Sequence, residues 1–360
     1  MTGTYPTSTA LRFRSQVIGA HGYVPEWLGV DRSKYLRLDR NESTMPISGT
    51  VLKALADYLA ARGVNSYPEA ERLAEPLAAY CGVPPACILS TNGSDQAIDL
   101  CLRSFLGKDD RLLVARPEFP IFSHVAALIG ARVDGVPYHE DLGFPYEEFR
   151  QAAATHEPDL IVIINPNNPT GTPVTVDFIQ EIASQHANIP VLVDEAYYEY
   201  TGRSAVGLIH SHENIIVLRT FSKAFAMAGL RLGYVVASPP VAAQIAKLRN
   251  PFDVNELAVV AAEAQLSDLP TMRRHVDKIV NQSKPMVVDF FNKMGVPVWP
   301  GAANFVLVRP PACREAVEFL RDHGILVRSM SSGPLCGMFR ASMGSPAEMT
   351  EFIRVYEACL

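Results

Sequence analysis

The run LIVII at 160–164 constrains this chain more than any other stretch. It is apolar at every position and has no wet face. That is the pattern of a strand covered on both sides, as in a parallel sheet flanked by helices. Similar short runs recur at 111–115 (RLLVA), 191–193 (VLV) and 215–218 (IIVL). Helical patterns at 121–129 and 178–185 separate them. Such β–α alternation predicts an α/β fold with a mostly parallel sheet. Sheets of this kind bind ligands beyond the carboxyl ends of their strands. Three polar residues share that address: Asn168 after LIVII, Asp194 after VLV, and Lys223 after IIVL.

Lys223 sits in RTFSKAFAMAGLRLGY, eight residues before Arg231. A lysine set among apolar residues beside an arginine is partly desolvated, which makes its amine a better nucleophile and suits a Schiff base. Ser222 and Arg231 offer a hydroxyl and a charged fork, groups that suit a phosphate. Schiff base plus phosphate points to pyridoxal phosphate. Asp194 opens DEAYYEY, and a carboxylate there asks for a cation, which a pyridinium nitrogen supplies. Tyr197 lies three residues on. Asn168, in NPNNPTG at 165–171, offers an amide to a ring oxygen. Phe119 offers a stacking face. Ser94 reads as the N-cap of a helix over about 94–105, whose free N–H groups would form an anion site. Each residue also has an ordinary reading: a cap, a turn, core packing or a surface charge.

The 360 residues suffice for two domains. Residues 1–48 read as a polar arm, 49–255 as a large domain, and 256–360 as a smaller α+β domain. In the large domain Pro76 should kink or divide a helix ending at Gly82. In the small one Arg328 and Arg340 are candidates for an anionic substrate group. A net charge of −6 argues against a nucleic-acid surface. The six cysteines show neither metal-ligand nor disulfide spacing. With no apolar signal core in the first residues and no membrane-length apolar run, a reducing cytoplasm is expected.

The strings YPEAE (67–71), NGSDQAI (92–98), NPNNPTG, VDEAYYEY (193–200), RTFSKAFAMAGLRLGY (219–234), ANFVLVR (303–309) and FRASMG (339–344) carry a family resemblance. The chain resembles the fold-type-I, class I/II pyridoxal-phosphate-dependent aminotransferases, and most of all the histidinol-phosphate aminotransferases. The resemblance implies that Lys223 carries the cofactor and then serves as acid and base. It implies Asp194 at the pyridinium, Tyr197 and Asn168 at the ring oxygen, and Phe119 stacked on the ring. Ser94, Asp95, Ser222 and Arg231 would surround the phosphate. Tyr67 would reach the cofactor phosphate of the other subunit, implying a homodimer with shared sites. Tyr23, Arg328 and Arg340 would meet the substrate. Glutamate and a keto or aldehyde partner, first imidazole-acetol phosphate, are the expected substrates; aromatic or specialised amino acids come next. The similar threonine-phosphate decarboxylases and a non-catalytic regulator are the alternatives from other classes. Where the family commonly has NENPYGPS, this chain has NESTMPIS at 41–48, which alters the lip of the substrate site.

Overall fold

The structure is a computed structural model that describes residues 11–20, 27, 29–331 and 333–359. Tyr23 lies outside the described residues. The described residues form twelve strands: β1 (Leu36–Leu38), β2 (Ile88–Thr91), β3 (Arg111–Arg116), β4 (Arg132–Pro137), β5 (Leu160–Ile164), β6 (Val191–Asp194), β7 (Ile215–Thr220), β8 (Gly233–Val236), β9 (Val298–Trp299), β10 (Phe305–Val308), β11 (Ile325–Met330) and β12 (Met338–Ser342).

Seven of these strands form one sheet in the order β2-β8-β7-β6-β5-β3-β4. Every neighbouring pair is parallel except the two that involve β8. The run LIVII is β5, buried along its whole length. Its alternate residues feed two cores. Ile161 and Ile163 join Val191, Val193, Ile215 and Val217 on one face. Leu160, Val162 and Ile164 join Leu192, Ile216 and Leu218 on the other. Each such side chain contributes roughly 1.5–3 kcal/mol by leaving water, so strand register is firmly set.

The second sheet has five strands in the order β1-β11-β12-β10-β9. Only β1 and β11 pair in parallel; the remaining neighbours are antiparallel. Residues Leu36–Leu38 thus make a strand inside a stretch read as an irregular arm. The pairing needs a distant partner, which local pattern does not reveal.

Two local expectations change. The helix Gly93–Phe105 begins one residue before Ser94, and Asn92 occupies the cap position without a side-chain cap bond. Instead the Gln96 side chain accepts from the Asn92 amide at 2.6 Å. Ser94 therefore belongs to the first turn. Pro76 lies third in the helix Ala74–Cys81, where its missing N–H costs no helical bond. The division it was expected to cause falls just ahead, where the 3-10 turn Ala70–Leu73 gives way to that helix.

Candidate active site

The carboxyl ends of β5, β6 and β7 open into a cavity of about 540 Å³, roofed by the small sheet's β11, β12 and the loop after β11. Eleven of the thirteen residues singled out in the sequence line it: Ser94, Asp95, Phe119, Asn168, Asp194, Tyr197, Ser222, Lys223, Arg231, Arg328 and Arg340. Tyr67 does not; it is 76% exposed and stacks on Phe252, ring centroids 4.4 Å apart.

Strand β7 ends at Thr220, and a turn presents Lys223. The turn is held by the Ser222 amide donating to Thr220 Oγ1 at 3.1 Å. Lys223 Nζ donates to the Arg40 carbonyl at 3.1 Å and stands 5.8 Å from the Tyr197 ring centroid. Burial, reinforced by the Arg340 charge, brings its pKa down to about 8. A sizeable neutral fraction at physiological pH is what a nucleophilic amine requires.

Asp194 ends β6, almost wholly buried. Its carboxyl accepts from the Ala196 amide at 3.0 Å. Burial pushes its pKa up to about 7. A buried acid with one hydrogen bond and no ion pair among the described residues is set for a cationic partner. The Tyr197 hydroxyl accepts from Asn41 Nδ2 at 2.8 Å, which leaves its own proton to donate. Burial moves its pKa up to about 12, so that proton is retained. Asn168 Oδ1 accepts from Arg340, so its Nδ2 is the group left to donate. Arg340 also donates to the Asp39 carbonyl at 3.0 Å. Arg328 faces Arg340 in the β11–β12 register.

On the opposite wall the first turn of Gly93–Phe105 meets Arg231. Glycine is needed twice here. A Cβ on Gly233 would stand 2.6 Å from the Ser94 nitrogen, and one on Gly93, whose φ is +78°, would stand 2.6 Å from Arg231 Nη2. The two glycines let a helix N-terminus and a guanidinium converge, which is a built anion cradle. Arg231 pairs with Asp95 at 3.0 Å across a half-exposed bridge. Asp95 can serve an anion there only through its backbone N–H, since its carboxylate would repel it.

Sequence reasoning missed Asn41. It stands in left-handed backbone, φ +54°, just past β1, and joins Tyr197, Ser342 and Asn304. An asparagine after a short strand is the same signal that singled out Asn168. The loop of Ser331, Gly333, Pro334 and Leu335 over the cavity carries no motif.

A nucleophilic lysine, a buried acid and an anion cradle within one cavity define the class of a covalent pyridoxal-phosphate enzyme. The chain belongs to the aminotransferase class I and II family, whose model matches residues 33–355. It is 36% identical over 299 residues to a histidinol-phosphate aminotransferase of Caldanaerobacter subterraneus subsp. tengcongensis, covering 82% of this chain and 84% of that one. To the histidinol-phosphate aminotransferase of Roseiflexus castenholzii it is 33% identical over 362 residues, covering 95% and 96%. The crystal structure of histidinol-phosphate aminotransferase from Sinorhizobium meliloti in complex with pyridoxal-5'-phosphate superposes with a TM-score of 0.88 at 28% identity, covering 98% of this chain and all of that one.

Proposed function

We propose that this chain is a pyridoxal-phosphate-dependent aminotransferase. It moves an amino group between glutamate and a keto or aldehyde partner, with imidazole-acetol phosphate and histidinol phosphate as the first such pair. The observation that carries this reading is Lys223: a buried amine with its pKa near 8, in one cavity with the buried Asp194 and the anion cradle at Arg231. The residues fit the cofactor, because among the described residues Asp194 has no cationic partner, which a pyridinium would supply, and Ser94 and Asp95 of the first helical turn line the cavity beside Arg231.

When bound, pyridoxal phosphate supplies an electron sink for the bonds at the substrate Cα. The chain's own residues do the remainder. Lys223 is the residue that would hold the cofactor, and its amine, with a pKa of about 8, would serve as the acid and base for the proton at the substrate Cα. Asp194 keeps the ring nitrogen protonated. Tyr197 and Asn168, each with a proton left to donate, would hold the ring oxygen, and Phe119 would offer the ring a stacking face. Ser94, Ser222, Arg231 and the Asp95 amide hold the phosphate. Arg340, with Arg328 and Tyr23, receives the substrate's anionic end.

The division into an arm at 1–48, a large domain at 49–255 and a small one at 256–360 belongs to the same reading. So does a homodimer in which Tyr67 serves the partner subunit's site, in keeping with its exposed ring. Among the described residues no helix is long and apolar enough to cross a membrane. The free cysteines fit a reducing cytoplasm.

The test is a panel of amines added singly to the cofactor-loaded protein. Glutamate and histidinol phosphate should each bleach the visible band of the bound cofactor, the first releasing a keto acid and the second a ketone. Carbon dioxide released from threonine phosphate, with no keto product from any amine, would make the protein a decarboxylase instead.

A further inference from the structure

Behind the cavity the sheet carries a buried ion pair that no step above uses. Glu195 is fully buried and Arg219 nearly so. The Arg219 Nε and Nη2 both donate to Glu195 Oε2, at 3.1 and 3.0 Å. Both carboxylate oxygens are engaged further: Ser204 Oγ donates to Oε2 at 2.8 Å and the Ala205 amide donates to Oε1 at 2.6 Å. The Arg219 guanidinium carbon lies 3.6 Å from the Tyr198 ring centroid. Tyr80, Cys81, Glu199 and Tyr234 are further titratable groups close to it.

A buried ion pair adds little net stability, because both ions give up hydration. Its value is in direction, since two guanidinium N–H groups converging on one carboxylate oxygen, with Ser204 and the Ala205 amide holding the same carboxylate, leave it little freedom to turn. This pair sits where an arrangement matters. Glu195 directly follows Asp194, and its amide donates to the Leu218 carbonyl at 2.8 Å, extending the β6–β7 ladder by one rung. Arg219 directly precedes Thr220, the residue that anchors the turn of Lys223. By strand alternation Asp194 and Thr220 face the cavity while Glu195 and Arg219 face away.

We infer that Glu195 and Arg219 are positioning residues that fix the separation of Asp194 and Lys223 by locking the exits of β6 and β7 together. Ser204 and Tyr198 extend the lock to the segment that carries Tyr197. The inference deepens the aminotransferase reading and rests on it.

The double variant E195Q/R219M removes both charges at similar volume, so neither ion is left buried alone. In the cofactor-loaded protein its thermal midpoint should stay close to wild type. The kcat of the glutamate half-reaction should fall about tenfold or more, the scale expected for ångström-level misplacement, with KM changed by less than about threefold. The pH midpoint of the bound cofactor's absorbance should move as well, which a purely structural pair would not cause. Wild-type kcat and an unmoved midpoint in the folded, loaded double variant would overturn the inference alone. Should that variant not fold, E195D keeps the charge on a shorter arm, and the same loss of kcat is expected; an unchanged kcat overturns the inference. A wild-type protein that binds no cofactor overturns the proposed function as well, so the two failures are distinguishable.

Discussion

Lys223 and Asp194 are displaced from their ordinary acidities in opposite senses by the same cause, burial. The lysine becomes a base near neutrality and the acid becomes weaker. Attachment of pyridoxal phosphate requires the neutral amine, so its rate should rise with pH through a midpoint near 8, read by absorbance after mixing. For Asp194 the folded pKa of about 7 lies above the usual carboxylate value of 3.8. The acid's contribution to stability is therefore full below pH 3.8 and is lost as pH rises through 7. Asp194→Asn removes that penalty. At pH 8 it should raise the thermal midpoint of the cofactor-free protein while weakening cofactor retention on dialysis. A cofactor-free variant less stable than wild type at pH 8 would show that the acid already has a partner.

Among the elements, the approach of the helix Gly93–Phe105 to β8 decides whether an anion cradle exists. Gly233→Ala places a methyl 2.6 Å from the Ser94 nitrogen, a backbone atom that cannot swing aside. The helix must withdraw, at a cost of about 1–3 kcal/mol typical of overpacking. Cofactor affinity should fall at least about fivefold, the lower end of the same free energy expressed as binding; equilibrium titration checks this. The elements that place Asn168, Asp194 and Lys223 were legible because β5, β6 and β7 open on unbroken apolar runs, LIVII, VLV and IIVL, that polar residues follow. Strand β4 was not, since as an edge strand it mixes Asp134, Gly135 and Pro137 with exposed positions. Nor was β8, a four-residue strand embedded in the glycine-arginine string. Asn41 and the roof loop escaped because they reach the cavity only through the pairing of β1 with β11, a contact between chain ends. The mistaken cap at Ser94 has a local cause, as Gln96 replaces a serine cap by bonding the Asn92 amide.

For the whole molecule, the two sheets meet over one cavity, and Tyr67 stands outside it on an exposed aromatic pair with Phe252. If each site borrows Tyr67 from the partner subunit, two inactive proteins should complement each other. Lys223→Ala and Tyr67→Ala subunits, unfolded together and refolded, should recover about a quarter of full activity, because half the dimers are hybrids with one intact site. Mixtures that gain nothing would place the whole site within a single chain.

The central claim is that Lys223 is the residue that carries the cofactor. Borohydride reduction of the pyridoxal-phosphate-loaded protein, followed by peptide mass spectrometry, tests it most directly. Lys284 is a stringent internal control: it too is buried with a pKa brought down to about 8, yet its amine donates to the carbonyls of Gly301 and Ala303 and has no place in the cavity lining. The account predicts a single reduced adduct, on Lys223, that is lost in Lys223→Ala without loss of the fold. An adduct on Lys284 or any other lysine, or full turnover by Lys223→Ala, would contradict it.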